Sequence, residues 1–234
     1  MKVLALDTSG LVASVALANE QGILAEFTTN YKKTHSVTLM PMIEEMVKRV
    51  DLDLKTLDLI AVSAGPGSFT GLRIGSSTAK GLAHVLNLPI ASISTLEGLA
   101  SNISKTNCLI CPMLDARRQQ VYTAIYRYEG NIIIPITEEM ACTATELMGL
   151  LGKYDEEVIF LGDGVAPNIK EIEQHLAPSK WSLASSGSTL QRASSIALLG
   201  LRAAAEGKLQ TYMEHAPNYL RKSQAERERE EKNQ

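Results

Sequence analysis

A pattern that occurs twice restricts the fold more than any other feature of this sequence. One apolar segment ends at Asp7 and a second ends at Asp115. After each aspartate an alanine follows nine residues on and a glycine fifteen residues on, namely Ala16 and Gly22, then Ala124 and Gly130. Each copy is typical of a strand, a second strand, a glycine turn and a third strand. The repeat predicts a duplicated α/β fold of two related lobes. The alternative is that unrelated three-stranded meanders share this spacing.

Two helices and one long strand are predicted between these landmarks. Apolar residues recur every three or four positions over 34–50, although Pro41 lies inside the pattern and predicts a kink or a restart of the helix there. Ser68 is a suitable N-cap for a helix over 68–86. Alternating side chains predict a single strand over 121–128.

Polar residues at the carboxyl end of the first strand form the first candidate site. Asp7, Thr8 and Ser9 close that strand, and ligands of open α/β sheets bind beyond such ends. Gly65 and Gly67 lie in a turn that could present amides to an anion. These five residues could therefore hold a metal or contact a phosphate group. The alternative is a turn in which aspartate and serine bind local amides.

The helix over 68–86 carries small residues at intervals of four, at Gly67, Gly71, Gly75 and Ala79. A glycine inside a helix costs about 1 kcal/mol relative to alanine. Because the helix contains two such glycines, Gly71 and Gly75, we expect another backbone to approach closely on that face, either within the chain or in a partner.

Two further segments carry candidate functional residues. His35 lacks a second histidine four positions on, because residue 39 is Leu39, so the usual helical metal pair is incomplete. Arg117 and Arg118 follow Asp115, where a phosphate loop would use small residues. These two arginines could contact RNA or an acidic partner, or lie in a solvated turn. We expect neither a catalytic residue nor a bound metal.

Charge and hydropathy limit the class of protein. The net charge of −3 gives no overall positive field for nucleic acid. Three cysteines do not make a disulfide framework. The apolar start ends at Asp7, unlike a signal peptide, and no apolar run approaches the roughly 18 residues that a membrane span requires. We expect a cytoplasmic protein without a membrane contact.

Several segments together resemble one known family. These are LALDTS, THSVTLMPMIEEM, AVSAGPGSFTGLRIG, KGLAH, MLDARRQQVY and PNYLRKSQAE. They are similar to the TsaB family, also called YeaZ, over nearly the whole chain, from Met1 to about Glu226. The resemblance implies an α/β fold of the actin-like, sugar-kinase and Hsp70-like class, with a part in forming threonylcarbamoyladenosine on tRNA next to the anticodon.

The resemblance also implies partners. Family members are subunits that assist a paralogous transferase, TsaD, together with an ATPase, TsaE, and they can pair with themselves. We therefore expect a scaffold subunit without a cofactor of its own, in which ATP or ADP binds only within the complex and tRNA is reached through it. The resemblance also implies a vestigial nucleotide cleft at Asp7, Thr8, Ser9, Gly65 and Gly67. One alternative is an enzyme of the same fold, metallopeptidase-like or a phosphotransferase, with its site at Asp7 and the Gly65 turn. Another is a homodimeric interaction protein with no link to tRNA.

Family members pair through their first two helices, so we expect those over 34–50 and 68–86 to form one exposed apolar face. The expected contact residues are Met40, Ile43, Met46, Val47, Val50, Gly71, Gly75 and Ala79. The alternative is that these helix faces cover the core of the sheet. The expected division of the chain is a first lobe over 1–104, a second over 105–190, a helix and segment over 191–221 that pack back on the first lobe, and a polar tail over 222–234.

Overall fold

The computed structural model describes residues 1–31 and 34–221, which form two β-sheets with six helices. The helices are α1 His35–Arg49, α2 Phe69–Leu86, α3 Thr95–Ala100, α4 Ala144–Leu151, α5 Ile169–His175 and α6 Ala193–Ala205. The strands are β1 Lys2–Asp7, β2 Ala13–Asn19, β3 Gly22–Thr29, β4 Leu59–Gly65, β5 Ile90–Ser94, β6 Leu109–Asp115, β7 Gln120–Thr123, β8 Tyr126–Glu129, β9 Ile132–Pro135, β10 Met140–Thr143, β11 Val158–Leu161 and β12 Trp181–Leu183. The predicted polar tail and the last residues of the family resemblance lie outside the described ranges.

The first sheet has the strand order β3-β2-β1-β4-β5. Its central strand β1 is antiparallel to β2 and parallel to β4. Side chains of β1 alternate between two apolar cores: Leu4 and Leu6 face α1 and α2, whereas Val3 and Ala5 face α6. Because helices cover both faces, β1 is a nearly continuous apolar run. No helix of the described residues is long and apolar enough to cross a membrane.

Residues 109–183 form a second sheet, as the repeat predicts. Its central strand β6 lies between β7, which is antiparallel, and β11, which is parallel. The order β10-β7-β6-β11-β12 therefore places partners around β6 as the first sheet places them around β1. The helix α6 packs on the first sheet. The exact lobe boundaries predicted from the sequence remain a proposal.

The prediction of a single strand over 121–128 is wrong, because this part of the chain forms two strands, β7 and β8. Thr123, Ala124 and Ile125 are buried in succession, which breaks the alternation of a regular strand. The Ile125 amide donates to the Thr137 hydroxyl at 2.9 Å instead of to a neighbouring strand. Consequently β7 pairs with β10, and β8 pairs with β9.

The helix α2 begins as predicted and packs closely on the turn after β1. Ser68 accepts a hydrogen bond from the Gly71 amide at 3.3 Å, which confirms the N-cap. A Cβ atom on Gly71 would lie 2.0 Å from the Thr8 carbonyl oxygen, and one on Gly75 would lie 2.5 Å from the Thr8 hydroxyl oxygen. The close neighbour that the small residues predict is therefore a strand end of the same chain. Pro41 lies within a helix that continues to Arg49.

This packing corrects the expected exposure of the contact residues. The prediction that all eight residues are exposed is wrong for five of them. The buried residues are Ile43, Met46, Gly71, Gly75 and Ala79. Val47 and Val50 are half-buried against the same core, and Met40 alone of the eight is exposed. The reason is that both helices use their apolar sides to cover the first sheet, as amphipathic helices commonly do.

After α6 the chain returns to the outer edge of the first sheet. Ile90 of β5 and Gln210 exchange two backbone hydrogen bonds, at 2.8 and 2.9 Å. His215 is buried with its Nδ1 atom 2.6 Å from the Ser92 hydroxyl, and its carbonyl accepts from the Lys80 ammonium at 2.9 Å. Burial lowers the pKa of His215 to about 4, and the Lys80 charge acts in the same direction.

Two glycines of α2 provide a matched test of the close approach. Replacing Gly71→Ala should lower the free energy of unfolding by about 1–3 kcal/mol, because the added methyl overlaps the Thr8 carbonyl. Replacing Gly81→Ala should raise it by up to about 1 kcal/mol, because nothing lies within 4 Å of the new Cβ and alanine favours the helix. Urea unfolding measures both. Equal shifts in the two variants would contradict the packing described.

The buried histidine predicts a dependence of stability on pH. The unfolded chain protonates His215 near the ordinary pKa of 6.5, whereas the native chain does so only near 4. Between these values the unfolded state binds more protons, so stability falls as the pH falls. The loss should be about 1–2 kcal/mol between pH 6.5 and 5.

Chemical unfolding at several pH values tests this for the wild type and for His215→Asn, whose amide occupies the place of Nδ1. The variant should lose this part of the pH dependence. A variant with the full wild-type slope would assign the slope to other groups.

Candidate functional site: the cleft between the lobes

A cleft of about 380 Å³ separates the carboxyl ends of the two central strands. Its first-lobe wall is the turn after β1 and the start of α2, and its second-lobe wall is the turn after β6. The residues of these walls and of the segment that runs between them include Ser9, Gly10, Gly67, Ser68, Phe69, Asp115, Ala116, Arg117, Asp163, Gln191, Asn218, Tyr219 and Arg221. The two halves of the repeat thus meet where the sequence placed a candidate site.

Asp7 does not line this cleft. Its side chain is buried, and one carboxylate oxygen accepts from the Ser9 amide at 2.9 Å, from the Ser9 hydroxyl at 2.6 Å and from the Ser63 hydroxyl at 2.9 Å. Burial raises the pKa of Asp7 against the opposing effect of these hydrogen bonds. This is the local-turn alternative considered for the sequence, in which the aspartate holds the chain after β1.

The other predicted cleft residues divide into two groups. Ser9 and Gly67 do line the cleft. Thr8 does not, because its buried hydroxyl donates to the Gly71 carbonyl at 2.7 Å. Gly65 has a φ of +117°, and a Cβ on it would lie 2.4 Å from the Asn218 carbonyl oxygen. Gly65 therefore makes room for a backbone of the same chain.

Two carboxylates form part of the second-lobe wall. The Asp115 amide donates to Asp163 at 3.0 Å, and the Arg117 guanidinium lies 3.2 Å from the Asp115 carboxylate. Burial raises the pKa of Asp163, and the negative charge of Asp115 adds to that rise. This wall therefore combines two acids with one well-exposed arginine, a mixed arrangement with no excess of positive charge for a phosphate group.

The turn that holds the two predicted arginines has a strained backbone. Arg117, Arg118 and Gln119 have φ values of 62°, 53° and 59°, although none is glycine. Left-handed conformation costs such residues about 1–2 kcal/mol each. The turn is closed by the Gln120 amide, which donates to the Arg117 carbonyl at 3.2 Å. Sequence analysis missed this conformation, because the segment has no glycine or asparagine to indicate it.

The segment over residues 217–221 runs between the lobes. Sequence analysis expected residues 191–221 to pack back on the first lobe, but it did not predict that this segment also contacts the second lobe. The Asn218 amide donates to the Ala64 carbonyl at 2.6 Å, and the Tyr219 ring lies 4.6 Å from the Phe69 ring. On the second lobe, the Arg221 guanidinium donates to the Ala116 carbonyl at 3.0 Å. The signal in the sequence is PNYLRKSQAE, one of the segments that carry the family resemblance, but its pattern does not indicate which lobes it contacts.

The two residues at the positions of a helical metal pair on α1, His35 and Leu39, have different surroundings. Leu39 is buried in the apolar core of the first sheet. The His35 Nε2 atom lies 2.9 Å from the Gly10 carbonyl oxygen. Within residues 1–31 and 34–221, no group of three or more histidine, cysteine, aspartate or glutamate side chains is placed to hold a metal ion.

Comparison with known proteins gives consistent matches. Residues 22–229 match the family model described as TsaD, tRNA N6-adenosine threonylcarbamoyltransferase. The tRNA threonylcarbamoyladenosine biosynthesis protein TsaB of Bacillus subtilis is 35% identical over 226 residues, which cover 97% of this chain and 96% of that protein. TsaB of Escherichia coli is 35% identical over 133 residues, covering 56% and 57% of the two chains.

Solved structures agree with the fold. A Pseudomonas aeruginosa protein described as similar to the peptidase YeaZ is 25% identical and superposes with a TM-score of 0.81 over 94% of this chain and 99% of its own. The activator of 2-hydroxyisocaproyl-CoA dehydratase from Clostridium difficile, solved with bound ADPNP, is 13% identical with a TM-score of 0.51 over 89% and 97% of the two chains, a likeness of fold alone. The predicted actin-like class is confirmed, and the chain belongs to the TsaB (YeaZ) family of tRNA threonylcarbamoyladenosine biosynthesis proteins.

Proposed function

We propose that this chain acts in the cytoplasm as a scaffold subunit for the formation of threonylcarbamoyladenosine on tRNA, without a catalytic site of its own, and that it pairs with a TsaD-like transferase. One observation carries the proposal. The polar groups at the carboxyl end of β1, where a nucleotide-binding relative would hold its ligand, are used within the chain: Asp7 by Ser9 and Ser63, and Thr8 by Gly71.

The second lobe supports the same conclusion. Asp115 and Asp163 lie together on the wall that would face a phosphate chain, and Arg117 is paired with Asp115. Like charges disfavour an anionic ligand at short range. The position four residues after His35 is Leu39, a core residue, so the paired histidines of a helical metal site are incomplete.

The solvent-facing sides of α1 and α2 are the surface that we propose for the transferase. Val37 and Met40 on α1 are exposed, and Val85 on α2 is 80% exposed. On α2 the exposed residues Arg73, Ser77, Gly81 and Val85 recur at intervals of four, opposite the buried glycines. Small residues along this row permit close approach of a second helix, and methionine adapts to more than one partner. This surface replaces the buried residues that the sequence suggested.

The remaining partners follow from the same assignment. A homodimer would use this surface in a two-fold arrangement when the transferase is absent. A TsaE-like ATPase, tRNA and any ATP or ADP would join only in the complex. Arg117 and Arg118, held in the turn beside the cleft, are candidate contacts for RNA or for an acidic partner.

Charge introduced on the proposed surface provides the test. Met40→Glu and Val85→Glu should each weaken binding to a purified TsaD-like transferase at least about tenfold, because an unpaired carboxylate would be buried in the interface. Isothermal titration calorimetry measures the affinity. Both side chains are exposed, so the unfolding midpoint of each variant should stay close to that of the wild type.

Leu183→Glu is the matched control, because Leu183 is also exposed but lies on β12 at the edge of the second sheet. It should bind the transferase like the wild type. If the α1 and α2 variants bind as tightly as this control, the interface lies elsewhere on the chain.

A further inference from the structure

We infer that the two walls of the cleft between the lobes bind an extended peptide, and that the segment over residues 217–221 of the same chain, which lines one side of the cleft, is the resident ligand. The segment contacts both lobes and passes beside the turns that follow β1 and β6. Through these contacts it links the two lobes. The inference does not depend on the proposed pairing with a transferase.

The backbone of the segment is recognised by the end of β4. The Asn218 amide donates to the Ala64 carbonyl at 2.6 Å, a main-chain contact of the kind that binds an extended peptide at a strand. The Asn218 carbonyl oxygen lies where any side chain on Gly65 would begin, at 2.4 Å from the Cβ position. The conformation of Gly65, with φ at +117°, therefore gives the segment its place.

An aromatic side chain fixes the register of the segment. The Tyr219 ring packs on the Phe69 ring, with the centroids 4.6 Å apart and the planes tilted by 34°. Phe69 is the first residue of α2, and the Arg73 guanidinium covers it at 4.0 Å from the ring centroid. Phe69 is thus enclosed by a cation and a second ring, an arrangement that suits an aromatic residue of the bound segment.

Two contacts bind the segment to the second lobe. The Arg221 guanidinium donates to the Ala116 carbonyl at 3.0 Å, next to the Asp115 carboxylate. The Asn218 side-chain amide donates to one oxygen of Glu139 at 3.3 Å, and the other Glu139 oxygen accepts from the Ser94 hydroxyl. A cation and an amide donor therefore face an acidic wall, which suits a peptide of this composition better than an anionic nucleotide.

The contact between Asn218 and Glu139 can be reversed without changing the size of either side chain. In Asn218→Asp, the amide that donates to Glu139 is replaced by a second carboxylate. The two carboxylates repel each other, so the segment should detach from the second lobe. In the double variant Asn218→Asp with Glu139→Gln, the glutamine amide donates to the new aspartate while its oxygen still accepts from Ser94. The double variant should therefore restore the segment to its place.

Amide hydrogen exchange of the full-length chain measures the result. In Asn218→Asp the amide of residue 218 should exchange at least about tenfold faster than in the wild type, because exchange requires its hydrogen bond to open. Amides of the turn over residues 116–120 should also exchange faster. The double variant should return to within about threefold of the wild type, since the compensating pair removes the repulsion.

Asn131→Asp is the matched control, because it adds the same charge at an exposed position on the second lobe, beside Lys105. It should leave exchange at residue 218 unchanged. Two results would overturn the inference: wild-type protection in Asn218→Asp, or faster exchange that the Glu139→Gln replacement fails to reverse.

Discussion

The close packing of α2 against the turn after β1 determines where the first-lobe wall of the cleft lies. No side chain fits at Gly71 or Gly75, because a Cβ atom there would overlap the Thr8 carbonyl or the Thr8 hydroxyl. The Thr8 hydroxyl in turn donates to the Gly71 carbonyl. Helix, turn and strand are thereby locked in one register. The N-terminus of α2, with Ser68 and Phe69, is brought to the cleft as a result.

The same register determines which side of α2 is packed inside the first lobe and which side a partner can contact. Its glycine side is used completely in holding the first lobe together, so a partner can reach only the opposite side. At the end of β4, Gly65 gives space to the chain's own C-terminal segment. At the carboxyl end of β1, where ligands of open α/β sheets bind, Asp7 and Thr8 are engaged in internal contacts. This is consistent with a role exerted through surfaces.

Sequence reasoning predicted those features that depend on local pattern. The repeat at Asp7 and Asp115 predicted two sheets, and Ser68 predicted the start of α2. Both predictions were possible because strand ends and N-caps have residue preferences that can be recognised in the sequence. The glycines of α2 indicated that a backbone approaches closely. They could not indicate which backbone, because that depends on contacts between distant parts of the chain.

The errors have the same physical origin. Ile43 and Met46 were expected on the surface, although an apolar helix side covers a sheet core and a partner interface with the same residues. The contacts of residues 217–221 with both lobes depend on long-range hydrogen bonds, which leave no periodic signal. The division of the strand over 121–128 accompanies a change of the outer pairing partner, because β7 pairs with β10 and β8 with β9, although both strands also pair with β6.

The most direct test of the central claim is reconstitution of tRNA modification from purified proteins, with threonylcarbamoyladenosine measured by mass spectrometry of digested tRNA. The chain alone should form no modified base. A TsaD-like transferase, a TsaE-like ATPase and the threonylcarbamoyl donor should form it only when this chain is added. Modification by the chain alone, or equal modification in its absence, would contradict the assignment of a required subunit without catalytic activity.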